Sequence, residues 1–280
     1  MLTFLKQTFK SPTAHIAIVV LVCILTYLPI LSHSFVYDDT TLFLTWKTPK
    51  SFQNLQKFIE GDTPPNHGGN YRPVRTFIYA ADYKLWGDRA AGYYAQAMLV
   101  NAAIAVFVYL IATAIAANPI TGLVTALLFG VHPMHTESIS FATASMDTIG
   151  LLFGFASIYF AITSNRMVGG RFYLSLVLML LGFFTYEVVL VTPILLALFF
   201  YCFNHPQKKR DAPRYRPLVW YGGAVVYYGI IRLLLMHQPT ARPVTYHGGS
   251  FFMNGIIISK FFYQYIVGLV FPFRLSVFHE

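Results

Sequence analysis

The sequence predicts an all-α fold: a polytopic transmembrane bundle of seven or eight helices with a long outer first loop. Hydrophobic residues make up 56% of the 280 residues and charged residues only 11%, against roughly 25% charged in soluble domains. Apolar runs close to the length that crosses a bilayer recur along the chain. The net charge of +9 comes from basic loops rather than a basic amphipathic helix, so we expect no nucleic-acid partner.

Eight apolar runs are the predicted membrane helices. The first is longer than the apolar core of a signal peptide, about 7–15 residues, so we predict that it remains a membrane helix. The last is less clear because it contains Lys260 and Gln264; it either crosses the membrane or lies along its outer face. The ranges are 13–31, 94–117, 119–135, 146–163, 172–186, 188–203, 217–235 and 255–271.

The basic residues of the short loops predict the orientation. Cytoplasmic loops carry an excess of Lys and Arg, which places the N-terminus and two later loops in the cytoplasm. All acidic residues except Asp211 then lie toward the other face, the periplasm of a bacterium or the lumen of the endoplasmic reticulum, and carboxylate chemistry is expected there. The basic residues are Lys6, Lys10, Arg166, Arg171, Lys208, Lys209, Arg210, Arg214 and Arg216.

A break is predicted inside the stretch 172–203. As one helix it would be about 48 Å long, against a hydrocarbon core of about 30 Å. Both flanking loops are basic, so the stretch must cross an even number of times and turn near Thr185-Tyr186-Glu187. Glu187 is then recessed at membrane depth, where an ionisable group is costly and indicates function.

The chain is predicted to be one membrane domain, 1–280, that we expect to be incomplete at its C-terminus. Residues 32–93 form the outer first loop, in which Thr48 to Ile59 is a predicted amphipathic interfacial helix. Residues 236–280 are predicted to form a second outer loop followed by the membrane or interfacial helix. In the interfacial case the terminal segment 273–280 stays near the site.

The pair Asp38-Asp39 follows the first span and has two interpretations. Adjacent side chains point in different directions, so one carboxylate could act as a general base while the other orients it or caps a helix. Alternatively, the pair supplies only an N-cap for a helix over Thr40 to Trp46.

His132, His135 and Glu137 lie within six residues at the outer end of the third span. Their spacing is not the i, i+4 pattern of a helical zinc motif, and Pro133 interrupts the helix. A ligand-contacting role, a metal site and a capped helix end remain open. Asp147 follows on the same predicted face of the membrane.

Arg72 and Arg75 end the outer loop. A guanidinium offers a rigid fork of donors that matches a phosphate, and the same residues could instead anchor to lipid head groups. Arg232 lies near a helix end, where it could simply snorkel to the surface.

The motifs together resemble the transmembrane O-mannosyltransferases linked to tetratricopeptide repeats, within the GT-C superfamily of polytopic glycosyltransferases. The matching segments occur in order over essentially the whole chain. They are 35–39 (FVYDD), 70–74 (NYRPV), 128–137 (LFGVHPMHTE), Glu187 and 271–277 (FPFRLSV). In two places the chain departs from the family, with Tyr186 where a Lys is usual and Ser145-Met146 near the position of an Arg.

The resemblance implies a glycosyltransferase that uses a polyprenyl- or dolichyl-phosphate sugar and transfers mannose or a similar sugar to a protein or glycan hydroxyl on the outer face. It implies Asp38 or Asp39 as the base and Arg72, Arg75 or the histidines as contacts to the leaving phosphate. Asp147 and Glu187 complete the binding residues that it suggests. We expect no metal or other cofactor beyond the lipid-phosphate sugar, although a divalent metal is not excluded. The alternative is a non-catalytic membrane module that keeps lipid-sugar binding or an assembly role.

Overall fold

The secondary structure is helical throughout the described residues, with no β-strand among them. A computed structural model describes residues 11–36, 38–60, 71–164, 169–203, 217–235 and 249–272. The α-helices are α1 (Pro12–Tyr27), α2 (Leu55–Ile59), α3 (Pro73–Trp86), α4 (Ala90–Ala116), α5 (Pro119–Gly130), α6 (Thr136–Ser140), α7 (Ala142–Ile162), α8 (Gly170–Phe183), α9 (Thr192–Phe203), α10 (Pro217–Leu235) and α11 (Phe251–Val270).

The predicted polytopic helical bundle is confirmed. Within the described residues, five helical segments are long and apolar enough to cross a membrane, and three shorter apolar helices accompany them. All eight coincide with the predicted runs, and they make this an integral membrane protein. The five are Pro12–Ser32, Ala90–Ala116, Ala142–Ile162, Pro217–Leu235 and Phe251–Val270, and the shorter ones are Pro119–Gly130, Gly170–Phe183 and Glu187–Phe203.

The helices form two packing groups that share α7. The first group buries side chains of α1, α3, α4 and α5 against the first half of α7, including Met146. The second buries side chains of α8, α9 and α10, including Met179 and Tyr221, against Ala161 at the other end of α7. α7 therefore fixes the two groups relative to each other.

Hydrogen bonds between buried side chains join the second group. The Ser157 hydroxyl of α7 donates to the carbonyl oxygen of Ser175 in α8 at 2.8 Å. Ser175 Oγ lies 2.9 Å from the Tyr221 hydroxyl of α10. Small hydroxyl residues let membrane helices approach closely and satisfy each other's polar groups, so this triad sets the spacing of three helices.

The predicted break in 172–203 is confirmed. α8 ends at Phe183 and a 3-10 segment, Glu187–Val191, leads into α9. Glycines make room for this turn. A Cβ on Gly182 would lie 2.8 Å from Val189 Cγ1, and a Cβ on Gly150 of α7 would lie 2.8 Å from Tyr186 Cβ.

The outer first loop differs from the prediction in two ways. The single helix expected over Thr48 to Ile59 is wrong, because the extended residue Ser51 separates the 3-10 turn Thr48–Lys50 from a second 3-10 turn, Phe52–Asn54, which leads directly into α2. Helix α3 was not predicted, although Pro73 in its first turn and Gly87 just past its end are typical helix boundaries. Several residues used in the orientation prediction, at positions 6, 10, 166 and 208–216, and the tail 273–280 lie outside the described residues.

Asp82 is a buried acid in α3, whose helix lies between the spans. Its carboxylate accepts a hydrogen bond of 2.9 Å from Gln96 Nε2 of α4. Burial raises the pKa of Asp82 to about 7, because desolvation disfavours the charged form.

We expect Gly150→Ala to destabilise the fold by about 1–3 kcal/mol, since the added methyl group has to displace the Tyr186 backbone. The matched control is Gly222→Ala, because a Cβ at Gly222 meets nothing within 4 Å. Thermal unfolding of the purified protein in detergent measures the difference. Equal midpoints for the two variants would contradict the close packing of the turn on α7.

We expect Asp82→Asn to remove part of the pH dependence of stability. The folded-state pKa is raised, so the stabilisation from the neutral acid is complete below the unfolded-state pKa of 3.8 and is lost progressively as the pH rises through about 7. The stability of the variant relative to wild type should therefore be higher at pH 8 than at pH 5. Asp88→Asn is the control and should behave as wild type, because the Asp88 side chain is exposed. A wild-type pH profile for Asp82→Asn would refute the raised pKa of Asp82.

Candidate functional site

Five charged side chains from four segments meet at one end of the bundle, and we call them the charged cluster. Arg72 and Arg75 come from the start of α3, and Asp147 from the second turn of α7. Glu187 follows the end of α8, and Arg232 lies in the last turn of α10. The two packing groups therefore both contribute to the cluster.

Each carboxylate of the charged cluster is shared by two arginines. Asp147 Oδ1 lies 3.3 Å from Arg72 Nη1 and 3.2 Å from Arg75 Nη1. Glu187 Oε2 lies 2.7 Å from Arg72 Nη2, and its Oε1 lies 3.4 Å from Arg232 Nη1. The ion pairs thus form one chain of alternating charge with an arginine at each end.

The charged cluster carries a net charge of +1, from three guanidinium groups and two carboxylates. Its side chains are 13–31% exposed, so they are largely removed from water without being sealed off. A guanidinium has five N–H donors, more than the ion pairs occupy. Such a group can bind an additional anion.

The backbone places Arg72 and Arg75 beside Glu187. The amide of Val74 donates to the carbonyl oxygen of Phe184 at 3.2 Å, which ties the first turn of α3 to the turn after α8. Pro73 favours a helix start at this point because it needs no intrahelical hydrogen-bond acceptor. Two sequence-distant segments are therefore held together by main-chain contact.

Tyr186 supports Arg72 from one side. The Arg72 guanidinium lies 4.9 Å from the centre of the Tyr186 ring, within the range of a cation–π interaction. Tyr186 stands where the resembling family usually has a Lys. The position contributes an aromatic face to the site instead of a cation.

Asp39 is fully buried and caps the N-terminus of α7. Its Oδ2 accepts a hydrogen bond from the Ala142 amide at 3.1 Å, and its Oδ1 accepts from the Thr143 amide at 2.8 Å and the Thr143 hydroxyl at 2.7 Å. A carboxylate there satisfies unpaired N–H groups and interacts favourably with the helix dipole. Asp39 thus caps a helix far away in sequence, while a π-helical segment, Thr40–Thr45, directly follows the acidic pair.

Aromatic packing fixes the segment that carries Asp38 and Asp39. The Phe43 ring lies 5.1 Å from that of Phe35 and 4.4 Å from that of Tyr93, a buried residue of α4. Asp38 is exposed, in contrast to its neighbour. The pair therefore divides into one internal and one accessible carboxylate.

Thr143 connects Asp39 to the charged cluster. Its amide donates to Asp39, and its carbonyl oxygen accepts a hydrogen bond of 3.3 Å from Arg75 Nη2. Arg75 also donates to the Tyr79 hydroxyl at 3.4 Å. Asp39 is therefore linked to Arg75 through the backbone of Thr143, and the accessible Asp38 is its neighbour in sequence.

The histidine motif forms a separate group. His132 Nδ1 accepts from the Met134 amide at 3.3 Å, so Nε2 carries the proton and donates to the Leu269 carbonyl oxygen of α11 at 3.1 Å. His135 packs on the Phe129 ring at 4.5 Å. Burial lowers the pKa of His135, because desolvation disfavours the charged imidazolium. His135 is therefore neutral near pH 7.

Glu137 is exposed in the first turn of α6. Among the described residues, no group of three or more His, Cys, Asp or Glu side chains is arranged to hold a metal ion.

Of the predicted site residues, the structure brings Arg72, Arg75, Asp147 and Glu187 into direct contact. Asp39 joins them through Thr143, whereas the hydrogen bonds of His132 lead to α11. Arg232 was considered only as a snorkelling residue, yet it belongs to the cluster. Its position near the end of an apolar helix was the signal available in the sequence.

These features define the class of protein: a polytopic helical membrane protein with a net-positive charged cluster at one end of its bundle. No family model matches the chain, and no solved structure matches it. A protein O-mannosyl-transferase of Caenorhabditis elegans is 23% identical in an alignment of 175 residues, which covers 59% of this chain and 25% of that protein. The chain thus spans about a quarter of the length of the curated relative that it matches.

We expect Asp39→Asn to lower the free energy of unfolding by about 1–2 kcal/mol, because the cap loses its charge and one acceptor. Asp38→Asn is the matched control and should change stability by less than about 0.5 kcal/mol. Chemical or thermal unfolding in detergent compares them. A larger loss for Asp38→Asn would show that the two carboxylates have been assigned the wrong roles.

Proposed function

We propose that the protein is a membrane glycosyltransferase of the GT-C type. It transfers a sugar, mannose or a close analogue, from a polyprenyl- or dolichyl-phosphate carrier to a hydroxyl group of a protein or glycan. The observation that carries the proposal is the net-positive charged cluster, reached through Thr143 from the Asp38-Asp39 pair. The similarity to a protein named O-mannosyl-transferase supports the same reaction class.

In the proposed reaction Asp38 is the general base. Its exposed carboxylate takes the proton of the acceptor hydroxyl, whose oxygen attacks the anomeric carbon of the sugar. The bond from that carbon to the phosphate oxygen breaks, and the lipid phosphate leaves with the electron pair. Attack opposite to the leaving group inverts the anomeric configuration. Asp39 holds the segment in place through its cap on α7.

Arg72 and Arg75 are proposed to stabilise the leaving phosphate. Fixed cations are most effective where water is largely excluded and where negative charge develops. Asp147 and Glu187 orient the two guanidinium groups. These cations can bear the charge of one phosphate, so we propose no metal and no other cofactor.

His132, His135 and Glu137 are proposed to contact substrate at the edge of the site. The orientation that we propose has the N-terminus in the cytoplasm and the charged cluster on the periplasmic or lumenal face, in a bacterial inner membrane or the endoplasmic reticulum. Membrane lipids and the lipid-linked sugar are then the immediate partners.

A second candidate is a module that binds the lipid-linked sugar without turning it over. Two observations favour it: Tyr186 and Ser145-Met146 stand where the resembling family has basic residues. Binding of the donor without any transfer by the wild-type protein would select this candidate.

We expect Asp38→Asn to reduce sugar transfer at least about 100-fold, the usual contribution of a general base, while donor binding persists. Transfer from a polyprenyl-phosphate sugar is measured in membrane vesicles. Asp88→Asn is the control, since Asp88 is an exposed acid paired with Lys50 at 3.4 Å. Wild-type transfer rates in Asp38→Asn would eliminate Asp38 as the base.

A further inference from the structure

Glu187 is shared by arginines from the two packing groups. Its Oε2 binds Arg72 at 2.7 Å, whereas its Oε1 faces Arg232 at 3.4 Å. Arg72 precedes α3 of the first group, and Arg232 belongs to α10 of the second. The position of Glu187 therefore depends on a helix that contributes no other residue to the charged cluster.

Arg232 is held in a defined place. Its Nη1 donates to the Tyr228 hydroxyl one turn earlier at 3.1 Å. The Tyr228 ring in turn lies 5.6 Å from the ring of Phe183 and 5.2 Å from that of Phe184. Tyr228 therefore fixes Arg232 beside the turn that carries Glu187. A side chain that snorkels freely to the membrane surface would not be fixed in this way.

The charge balance of the cluster depends on Arg232. With it, three cations face two carboxylates and the cluster has a net charge of +1. Without it, two cations face two carboxylates, and both oxygens of Glu187 are available to Arg72. A neutral and internally paired group has no excess attraction for an anion.

We propose that Arg232 is a positioning residue for phosphate binding. It binds Oε1 of Glu187 and thereby weakens the interaction of that carboxylate with Arg72. It also supplies the positive charge that the cluster needs to bind a phosphate ester. The ligand class is the phosphate of a lipid-linked sugar or of its spent carrier, so the inference rests on the proposed function.

The test compares binding of a polyprenyl phosphate to the purified protein in lipid nanodiscs, without a sugar acceptor. Arg232→Gln should weaken binding by roughly tenfold or more, as expected for the loss of a charge from a partly buried ion pair. Arg232→Lys keeps the charge and should retain most of the affinity. Arg171→Gln is the matched control, because Arg171 lies at the start of α8, at its opposite end from Glu187.

The double variant Glu187→Gln/Arg232→Gln separates charge balance from folding. It has two arginines and one carboxylate, so its net charge returns to +1 and binding should be stronger than in Arg232→Gln. The lost contact between Glu187 and Arg72 should keep the affinity below that of the wild type. A purely structural role of Arg232 would not be rescued by a second substitution in the same contact.

Two results would overturn the inference alone: Arg232→Gln that binds as well as wild type, or a double variant that stays as weak as Arg232→Gln. Wild-type protein that binds no polyprenyl phosphate would overturn the proposed function as well. The two failures are therefore distinguishable.

Discussion

The simultaneous binding of Arg72 to Asp147 and Glu187 is the interaction on which the arrangement of the site depends. Asp147 lies on α7 of the first packing group, whereas Glu187 follows α8 of the second. Charges at the end of an apolar bundle are costly unless they are paired. Pairing through one guanidinium offsets that cost and joins the two groups at the charged cluster. The Tyr186 ring covers the same guanidinium and limits its freedom to turn away.

Asp38 and Asp39 show how adjacent acids acquire different roles. Asp39 accepts three hydrogen bonds at the start of α7 and is removed from water, so it stabilises the helix rather than meeting a ligand. That cap fixes the backbone next to it, and Asp38 is presented to solvent as a consequence. An accessible carboxylate on a rigid segment suits proton transfer, because the distance to its substrate is set by the fold.

The sequence predicted the helices and missed several of the contacts between them. Apolar length alone located all eight apolar helices, and loop charge predicted the turn at Glu187. Contacts between residues that are far apart in the chain leave no such pattern in the sequence. α7 begins four residues before its predicted start at 146 because Asp39 caps it from across the fold. Arg232 resembled a snorkelling residue because its carboxylate partner is far away in the chain. Helix α3 was missed because its charged residues gave it no apolar run.

The candidate residues lie at one end of the bundle because successive helices cross the membrane in alternating directions. Their proximity could therefore be predicted from the sequence. Each crossing changes the side of the membrane, so an even number of crossings separates two loops that lie on the same side. The structure shows such returns in contacts away from the cluster. The Tyr27 hydroxyl at the end of α1 donates to the His132 carbonyl oxygen at 3.2 Å, and that of Tyr94 near the start of α4 donates to the Ser34 carbonyl oxygen at 3.0 Å. Topology therefore gathers these segments at one end of the bundle, and the ion pairs then join the members of the charged cluster.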